Sequence, residues 1–370
     1  MISYIHQNKD WPNFQWDVQR IKSVLDHTHR NQAKLLGQMQ ALGFRSREQA
    51  TLKTITLDIV KSSEIEGEIL NPEQVRSSVA RRLGIEEAGL VAADRDVGGV
   101  VEMMVDATQH YDRALTDDRL WGWHSALFPS GRSGMQKIVG KWRENASSDP
   151  MQVISGMMGR EKVHFQAPDS DLLQDEMFTF LKWFNSNDEP DALLKSAIAH
   201  LWFITIHPFD DGNGRIARAI TDLLLARADG ASQRFYSMSA QIRKEKNKYY
   251  DILETTQKGS LDITGWLEWF LSCLDRSFSA TKETLAGILM KAKFWEKHSS
   301  LSFNARQRVM LNKILDGWAG KITSFNWAKQ TGASHDSATR DINDLLGKGI
   351  LEKGTAGGRS TVFQLRIENL

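Results

Sequence analysis

The sequence predicts a mainly α-helical protein. Proline is scarce, with 7 residues in 370. Apolar residues recur at spacings of three and four, as in Val18, Ile21 and Leu25, which places them on one face of a helix. Clean alternation of apolar and polar residues, the pattern of a strand, is confined to a few short stretches. At roughly 100–200 residues per domain, a chain of this length predicts two or three domains.

The first two predicted domains are both helical. Residues 1–98 form the first domain, which is helical after an aromatic-rich opening (Trp11, Phe14, Trp16), and Gly98-Gly99 marks a weak break before the next block. Residues 99–278 form the second domain. Within it, 151–168 contains β-branched residues, glycines and a charged tip, which together predict a short β-hairpin.

The last two predicted segments are a spacer and a small C-terminal domain. Residues 277–297 read as one long polar helix, so we assign 279–300 as a helical linker. Residues 301–370 form the C-terminal domain. Helical patterns over 304–318, 325–331 and 334–348 precede two short strands, and this order predicts a winged helix-turn-helix.

Composition excludes several classes of protein. The chain has 47 basic and 46 acidic residues, a net charge of +1, which gives no whole-chain sign of nucleic-acid binding and leaves a local basic patch open. The single cysteine, Cys273, excludes a disulfide framework and a cysteine zinc cluster, and we expect a packed thiol. The first residues lack the basic start and apolar run that are typical of a signal peptide, and the most apolar stretch contains Lys195, His200 and His207. We therefore expect a soluble cytoplasmic protein without membrane contact.

The segment that carries chemistry is residues 207–218, with the sequence HPFDDGNGRIAR, which we call the signature loop. A long apolar helix precedes it and an amphipathic helix follows it. Such a junction offers free backbone N–H groups and the positive end of a helix dipole to an anion. Gly212 and Gly214 allow a close approach of the backbone and a positive φ.

The side chains of the signature loop complete a site for a polyphosphate. Asp211 can hold a divalent cation through a carboxylate oxygen. Arg215 and Arg218 lie three residues apart and share one helix face, and two guanidinium groups beside an anion nest indicate a polyphosphate. His207 is the only group nearby that accepts a proton near neutral pH.

These residues resemble the signature of the Fic (Fido) family, and every fixed position of that signature is present. The opening residues 5–17, the run Gly140-Lys141-Trp142-Arg143, and segments 163–165 and 247–253 are also similar to parts of Fic proteins. The resemblance implies a Fic helical bundle with a small β-hairpin flap, an N-terminal helical domain with an inhibitory helix, and a C-terminal winged helix.

The resemblance also implies a protein adenylyltransferase reaction. His207 would take the proton from a Ser, Thr or Tyr hydroxyl of a target protein, and that oxygen would attack the α-phosphate of ATP. Asp211 would hold Mg²⁺ or Mn²⁺, and Arg218 would hold the γ-phosphate. The anion hole would consist of Gly212, Asn213, Gly214 and Arg215.

Further roles implied by the resemblance concern the base and the target. Tyr249, Tyr250 and Gln257 would border the adenine. The flap residues would clamp the target backbone as an added strand, namely Lys162, Val163, His164 and Phe165. The target protein itself, self-modification, removal of AMP and a homodimer stay open.

Three alternative functions compete with this interpretation. A relaxed dinucleotide fingerprint over 212–217 is disfavoured, because it needs a preceding strand and the sequence predicts a helix there. Relatives with the same site transfer phosphate, UMP or phosphocholine, so the donor stays open. The third alternative is a non-enzymatic regulator that acts through its winged helix.

Residues 62–67, with the sequence SSEIEG, resemble the inhibitory motif of many Fic proteins, and we call them the inhibitory segment. Ser62, Glu66 and Gly67 fill the motif. The resemblance implies that Glu66 pairs with Arg218 and occupies the place of the γ-phosphate, so that ATP binds unproductively. The alternative is that Ser63 and Glu66 form a helix capping box.

The C-terminal domain offers a recognition helix that begins at Ser334, a good N-cap. Its basic residues can meet phosphates, namely Arg340, Lys348, Lys353 and Arg359. Three aspartates on the same helix would oppose DNA, namely Asp336, Asp341 and Asp344. Winged helices also serve as protein interaction modules, so DNA contact and a protein partner are both left open.

Overall fold

A computed structural model describes residues 4–86, 89–133, 136–137, 140–145, 148–156, 160, 162–186, 191–354 and 361–366. The described chain is mainly helical, as predicted, with fifteen α-helices and six short strands. It divides into two compact units. The first comprises Met1–Gln40 and Ala50–Thr281, and the second comprises Ala41–Gln49 and Lys282–Leu370.

The first unit begins with three helices. A 3-10 turn (Ile5–Gln7) precedes α1 (Val18–Gln40), α2 (Phe44–Ile65, of which residues from 50 onward belong here) and α3 (Pro72–Leu83). Asn71 caps α3 by accepting hydrogen bonds from the N–H groups of the first turn, and Gly84 ends it with a φ of 66°. These are the favoured residue types at the two ends of a helix.

Eight further helices build the centre of the first unit, with α11 crossing its boundary. They are α4 (Arg95–Gln109), α5 (Asp117–Leu127), α6 (Leu173–Asn185), α7 (Ala192–Ile206), α8 (Asn213–Asp229), α9 (Met238–Lys244), α10 (Lys246–Gln257) and α11 (Thr264–Thr284). Every residue of α7 from Leu193 to Ile206 is buried. This apolar helix is therefore a core helix, as predicted, and it delivers the chain to α8 in the interior.

The strands of the first unit form two antiparallel pairs. The first joins β1 (Arg132–Ser133) and β2 (Gln136–Lys137). The second joins β3 (Gln152–Ser155) and β4 (Lys162–Gln166) and is the hairpin predicted for 151–168. Its register shifts between Val153 and Ile154, whose partners are Phe165 and Val163, so His164 is the extra residue of a bulge.

The second unit contains the C-terminal elements in the predicted order. They are α12 (Ala286–Lys297), α13 (Ala305–Leu315), α14 (Ser324–Thr331), α15 (His335–Gly347), β5 (Leu351–Lys353) and β6 (Phe363–Leu365). Trp327, Ile342 and Leu345 belong to its buried core. Arg359 lies outside the described residues.

Two local predictions were wrong. Gly98-Gly99 does not interrupt the chain, because both residues lie inside α4. Residues 277–297 are not one helix, because α11 ends at Thr284 and α12 begins at Ala286 around the fully buried Leu285. The proposed domain boundaries at 98 and 278 therefore fall within helices, and the division into domains stays a prediction.

Gly99 has a packing role instead of a breaking role. A Cβ at this position would lie 1.7 Å from the carbonyl oxygen of Ala126, beside α5. At Gly98 a Cβ would meet nothing within 4 Å. The absence of a side chain at Gly99 therefore lets α4 and α5 approach closely.

We predict that Gly99→Ala lowers the free energy of unfolding by about 1–3 kcal/mol, the usual cost of overpacking. Gly98→Ala is the matched control, and we expect it to be neutral or stabilising by up to about 1 kcal/mol, because alanine favours a helix interior. Urea denaturation of both variants measures the difference. Equal stabilities would contradict the close packing of α4 on α5.

Two expectations from composition concern α7 and Cys273. No helix among the described residues is long and apolar enough to cross a membrane. Cys273 is buried in α11, and burial raises the pKa of its thiol well above the usual value. The packed thiol that the sequence predicts is therefore confirmed.

Candidate active site

A cavity of about 540 Å³ lies in the first unit where the signature loop, α10, the β3–β4 hairpin and the end of α2 meet. It brings together residues that are almost 200 positions apart in the sequence. Among the lining residues are Glu66, His164, Phe165, His207, Asp210, Asp211, Gly212, Asn213, Gly214, Tyr249, Tyr250 and Gln257. Most of the predicted site residues therefore share one cavity.

The backbone of the signature loop turns sharply between α7 and α8. His207 has a φ of 52°, the only positive φ outside glycine in the described chain, and Gly212 has a φ of 83°. Asn213 closes the turn, because its Oδ1 accepts the Phe209 N–H at 3.0 Å and its Nδ2 donates to the Phe209 oxygen at 2.7 Å. The Asn213 side chain is thus engaged inside the loop, and only its backbone N–H is available for an anion.

His207 presents one nitrogen as a base. Its Nδ1 lies 3.2 Å from the carbonyl oxygen of Ile204. Because a carbonyl can only accept, Nδ1 carries the proton and Nε2 keeps its lone pair. Burial lowers the pKa of His207 to about 4, an effect opposed by the Ile204 hydrogen bond and reinforced by Arg143. The imidazole is therefore neutral at physiological pH.

Arg143 fixes the position of His207, and sequence reasoning assigned it no role. It is 2% exposed. Its Nε donates to the His207 carbonyl at 2.8 Å, its backbone N–H donates to the Pro208 oxygen at 2.9 Å, and its Nη2 donates to the Pro168 oxygen at 2.5 Å. Burial lowers the pKa of Arg143 to about 10. Arginine is usually exposed, so composition alone gave no signal for this contact.

Two adjacent carboxylates lie on the cavity wall. Asp211 Oδ1 accepts the Gly212 N–H at 2.6 Å. Asp210 also lines the cavity, although sequence reasoning named only Asp211. Burial raises the pKa of Asp210, and Arg143 opposes that shift. No group of three metal-binding side chains occurs in the described residues. Mg²⁺ typically needs only one or two carboxylates beside phosphates and water, so Asp211 fits this ion.

The inhibitory segment forms the end of α2. The helix ends at Ile65, Gly67 has a φ of 87°, and the Glu68 N–H donates to the Ser63 oxygen at 3.0 Å. This is a glycine-terminated C-cap. Ser63 lies in the last turn of the helix and not at an N-terminus, so the capping-box interpretation of Ser63 and Glu66 is wrong.

Glu66 contacts Arg218, as the resemblance implies. Glu66 Oε1 lies 2.9 Å from Arg218 Nη1. Ser62 holds the same guanidinium, with Nε donating to Ser62 Oγ at 2.8 Å and Nη2 to the Ser62 oxygen at 2.9 Å. Glu66 lines the cavity, whereas Arg218 is 2% exposed and lies behind it. The carboxylate therefore separates the guanidinium from the cavity.

Gly214 lies against Glu66 of the inhibitory segment, and Arg215 pairs with Glu68 just beyond it. A Cβ at Gly214 would lie 2.1 Å from Glu66 Oε1, so a side chain at this position would displace the carboxylate from the start of α8. Arg215 Nη1 lies 2.5 Å from Glu68 Oε2. Arg215 is 3% exposed at its side chain and is held by an acid that sequence reasoning did not single out. Both arginines of the signature loop are thus paired with acids from one segment.

The predicted adenine side contains three residues from α10. Tyr249 is 2% exposed, and its hydroxyl lies 2.8 Å from His200 Nε2. Gln257 Nε2 donates to Thr205 Oγ1 at 3.2 Å. Tyr250 is 39% exposed. Tyr250 therefore offers an accessible ring, whereas Tyr249 and Gln257 are fixed from behind.

The predicted flap residues separate into anchors and accessible positions. His164 Nδ1 lies 2.5 Å from Glu254 Oε2, and Lys162 Nζ lies 3.4 Å from Glu254 Oε1. Phe165 is 1% exposed and packs edge-on against Tyr4 at 5.3 Å between ring centroids. His164 and Phe165 therefore fix the hairpin, Lys162 is exposed, and Val163 is half-buried.

Family models match two parts of the chain. Residues 114–225 match the Fic/DOC family. Residues 4–85 match a domain of unknown function, DUF4172. The first match contains the signature loop and the second contains the inhibitory segment.

Proteins with related sequences bear the name protein adenylyltransferase Fic. The relative from Aedes aegypti is 32% identical over 100 residues, which are 26% of this chain and 18% of that protein. The relative from Culex quinquefasciatus is 31% identical over 27% of this chain and 19% of that protein. The chain thus matches less than a fifth of the length of these relatives.

Solved structures share the fold. A Fic family protein from Desulfovibrio desulfuricans G20 has a TM-score of 0.59 at 21% identity, covering 95% of this chain and 98% of that chain. A Fic domain containing signaling protein from Bacteroides thetaiotaomicron VPI-5482 has a TM-score of 0.51 at 21% identity, covering 72% of this chain and 97% of that chain. At this identity the likeness concerns the fold alone.

Proposed function

Because this chain carries a Fic/DOC family domain, we propose that it is an adenylyltransferase that moves AMP from ATP to a Ser, Thr or Tyr hydroxyl of a target protein. One observation carries the proposal. A neutral imidazole, with Nδ1 held at 3.2 Å from the Ile204 oxygen, lines the same cavity as the glycine-rich start of α8. A base beside an anion-binding helix terminus suits transfer of a phosphoryl-type group.

In the proposed step, His207 Nε2 takes the proton of the target hydroxyl. The oxygen forms a bond to the α-phosphorus, the bond from that phosphorus to the bridging oxygen breaks, and pyrophosphate leaves. Backbone N–H groups of Asn213 and Gly214 lie at the start of α8, where they can stabilise the anion. The Gly212 N–H already donates to Asp211 Oδ1. Arg218 would hold the γ-phosphate once its contact with Glu66 is broken.

Asp211 would hold Mg²⁺, with Asp210 as a second carboxylate within reach of the cavity. The ion neutralises phosphate charge when it is bound. The arrangement of Asp211 does not depend on the ion, because the Gly212 N–H already orients the carboxylate at 2.6 Å. Arg143 likewise holds the His207 carbonyl. Most of this chain's contribution is therefore positioning.

The same proposal includes autoinhibition by Glu66. Its carboxylate occupies the space above Gly214 and pairs with Arg218. A γ-phosphate directed at Arg218 would meet a like charge in that place. Binding of ATP with its γ-phosphate in the productive position therefore requires the end of α2 to withdraw.

The target would dock on the β3–β4 hairpin through the accessible backbone near Lys162 and Val163. Each strand of this two-stranded sheet has one edge without a strand partner among the described residues, and an extended peptide can add to such an edge. Because Phe165 and His164 fix the hairpin to the rest of the unit, the docked hydroxyl would be held at a defined distance from His207. Residues of the chain itself can serve as targets by the same route.

Intact-mass spectrometry of the Glu66→Gly protein with Mg²⁺ tests the proposal. Separate incubations with ATP, UTP and CDP-choline supply different donors, and a protein added as acceptor extends the test beyond self-modification. A mass increase of one AMP in the incubation with ATP, and no increase with the other two donors, supports adenylyl transfer. A mass increase of one phosphate, one UMP or one phosphocholine would show that the protein transfers a different group. If neither the protein nor the added acceptor gains mass with any donor, the proposed transferase activity is contradicted.

The pKa of His207 gives a pH prediction for the Glu66→Gly protein. Burial lowers this pKa to about 4, so the neutral base is present above that value and is lost only as the pH falls through it. We expect the transfer rate to change less than about 2-fold between pH 8 and pH 6, because the base form stays dominant over this range. A rate that falls tenfold between pH 7 and pH 6 would contradict a His207 held neutral by burial.

A further inference from the structure

The C-terminal part of the second unit, residues 282–370, is strongly basic, although the whole chain is nearly neutral. Residues 282–370 contain 14 Lys and Arg against 8 Asp and Glu, a formal charge of +6. Residues 1–281 contain 33 against 38, a formal charge of −5. Opposite charges in the two parts cancel in the whole-chain value of +1. Such an asymmetry indicates a polyanionic partner for the basic part.

The basic unit has the elements of a winged helix-turn-helix in their usual order. α14 ends at Thr331 and is capped by Gly332, which has a φ of 63°, and α15 begins at His335 after the N-cap Ser334. A tight turn with glycine is typical of the helix-turn-helix. After α15, β5 and β6 pair antiparallel. Ile322 adds a bridge to Phe363, so the chain just before α14 extends the small sheet.

Two of the three aspartates that oppose DNA in the sequence are neutralised within the unit. Asp341 is 3% exposed, and its carboxylate accepts from Arg306 at 2.7 and 2.9 Å and from Asn304 at 2.7 Å. Asp344 pairs with Lys348 at 2.5 Å and accepts from Gln307 at 2.8 Å. Only Asp336 keeps the opposing role that the sequence suggested.

The outward face of α15 is polar and rich in side chains that can contact bases. Ala338, Asp341, Ile342 and Leu345 form the buried face. At helical spacing, the opposite stripe consists of Asp336, Arg340 and Asn343, all exposed. Arg340 makes one long hydrogen bond, from Nε to the Asp336 oxygen at 3.4 Å. No described residue hydrogen-bonds to the Asn343 side chain.

We propose that α15 binds in the major groove of duplex DNA and that Arg340 and Asn343 contact base edges there. Arginine matches the two acceptors of guanine, and asparagine matches the donor and acceptor of adenine. Lys329 on α14 and Lys353 on β5 are exposed and lie on the two elements that flank a recognition helix. They would contact phosphates, which position the protein without reading sequence. This function does not depend on the transfer chemistry of the first unit.

The test selects binding sites from a library of randomised duplexes with the full-length protein. Fluorescence anisotropy then measures affinity for an enriched and a non-enriched duplex between about 50 and 200 mM salt. We expect Arg340→Ala to weaken binding to the enriched duplex by about 5- to 150-fold and to reduce the preference over the other duplex. Lys329→Ala should weaken binding to both duplexes alike and reduce the salt slope by about one.

The control variant is Lys182→Ala, which removes one positive charge from the exposed surface of α6. Lys182→Ala and His207→Ala should both bind each duplex with the affinity of the unchanged protein. Melting curves show whether each variant is folded. The proposal is overturned if no sequence is enriched, if Arg340→Ala and Lys182→Ala bind alike, or if Arg340→Ala instead changes the oligomeric state in gel filtration without DNA.

Discussion

A protein that carries both Glu66→Gly and His207→Ala is expected to transfer AMP about 10²–10⁴ times more slowly than Glu66→Gly alone, the usual contribution of a general base. The reason is that the neutral imidazole of His207 lines the cavity and keeps the lone pair of Nε2 as a proton acceptor. Its Nδ1 is used by the Ile204 oxygen at 3.2 Å. Alanine removes the Nε2 acceptor and leaves the anion-binding backbone in place.

Binding of Mg²⁺ and ATP separates this loss from a loss of the site. Isothermal titration calorimetry should give the double variant an affinity within about 3-fold of Glu66→Gly, since the binding groups are intact. The matched control is His335→Ala in the Glu66→Gly protein, because His335 is an exposed histidine of the second unit. This protein should transfer AMP as fast as Glu66→Gly alone. If the double variant transfers AMP at more than a tenth of the Glu66→Gly rate, a group other than His207 takes the proton of the target hydroxyl.

The parts of the site that are contiguous in sequence were predictable. Gly212, Gly214 and Arg218 lie within one run of twelve residues, so their spacing already places them at a helix N-terminus. Glu66 lies far from that run, and only the family resemblance connected it with Arg218. The structure adds that the observed position of Glu66 depends on Gly214, because Glu66 Oε1 would lie 2.1 Å from a Cβ at that residue.

The parts that sequence could not supply depend on distant contacts. Arg143 donates hydrogen bonds to three backbone carbonyls of other segments. The family resemblance included this residue, but no local pattern predicts those contacts. Gly99 was misjudged as a break because local propensity disfavours glycine in helices, whereas its packing against Ala126 requires glycine. The sequence suggested that Asp341 opposes DNA, but Arg306 pairs with its carboxylate.

The inhibitory contact can be assessed from what surrounds it. Arg218 is 2% exposed, and Ser62 supplies two further acceptors to its guanidinium. The Glu66 side chain is 31% exposed, so part of its charge is screened by solvent. Losing Glu66 therefore leaves Arg218 hydrogen-bonded to Ser62 and available to a phosphate. We expect the folded structure to survive the substitution, because the contact is at the cavity wall and not in the core.

Glu66→Gly should raise the rate of AMP transfer by about 10- to 150-fold, which corresponds to the roughly 1.5–3 kcal/mol of a hydrogen bond to a charged group. Incorporation of label from α-labelled ATP measures it. Glu66→Gln keeps the volume of the side chain and removes its charge. If charge holds the segment in place, the glutamine protein should also be activated, whereas activation by glycine alone would assign inhibition to the volume of the side chain above Gly214.

Glu64→Gln is the matched control, because Glu64 lies on the same end of α2 but contacts Lys61 at 2.6 Å and Arg243 at 3.4 Å instead of Arg218. Its transfer rate should stay within about 2-fold of the unchanged protein, as expected for partly exposed ion pairs. Calorimetry should also show tighter binding of ATP to Glu66→Gly, since Arg218 then meets the γ-phosphate without a competing carboxylate. If Glu66→Gly, Glu64→Gln and the unchanged protein transfer AMP at equal rates, the ion pair between Glu66 and Arg218 does not control access to Arg218.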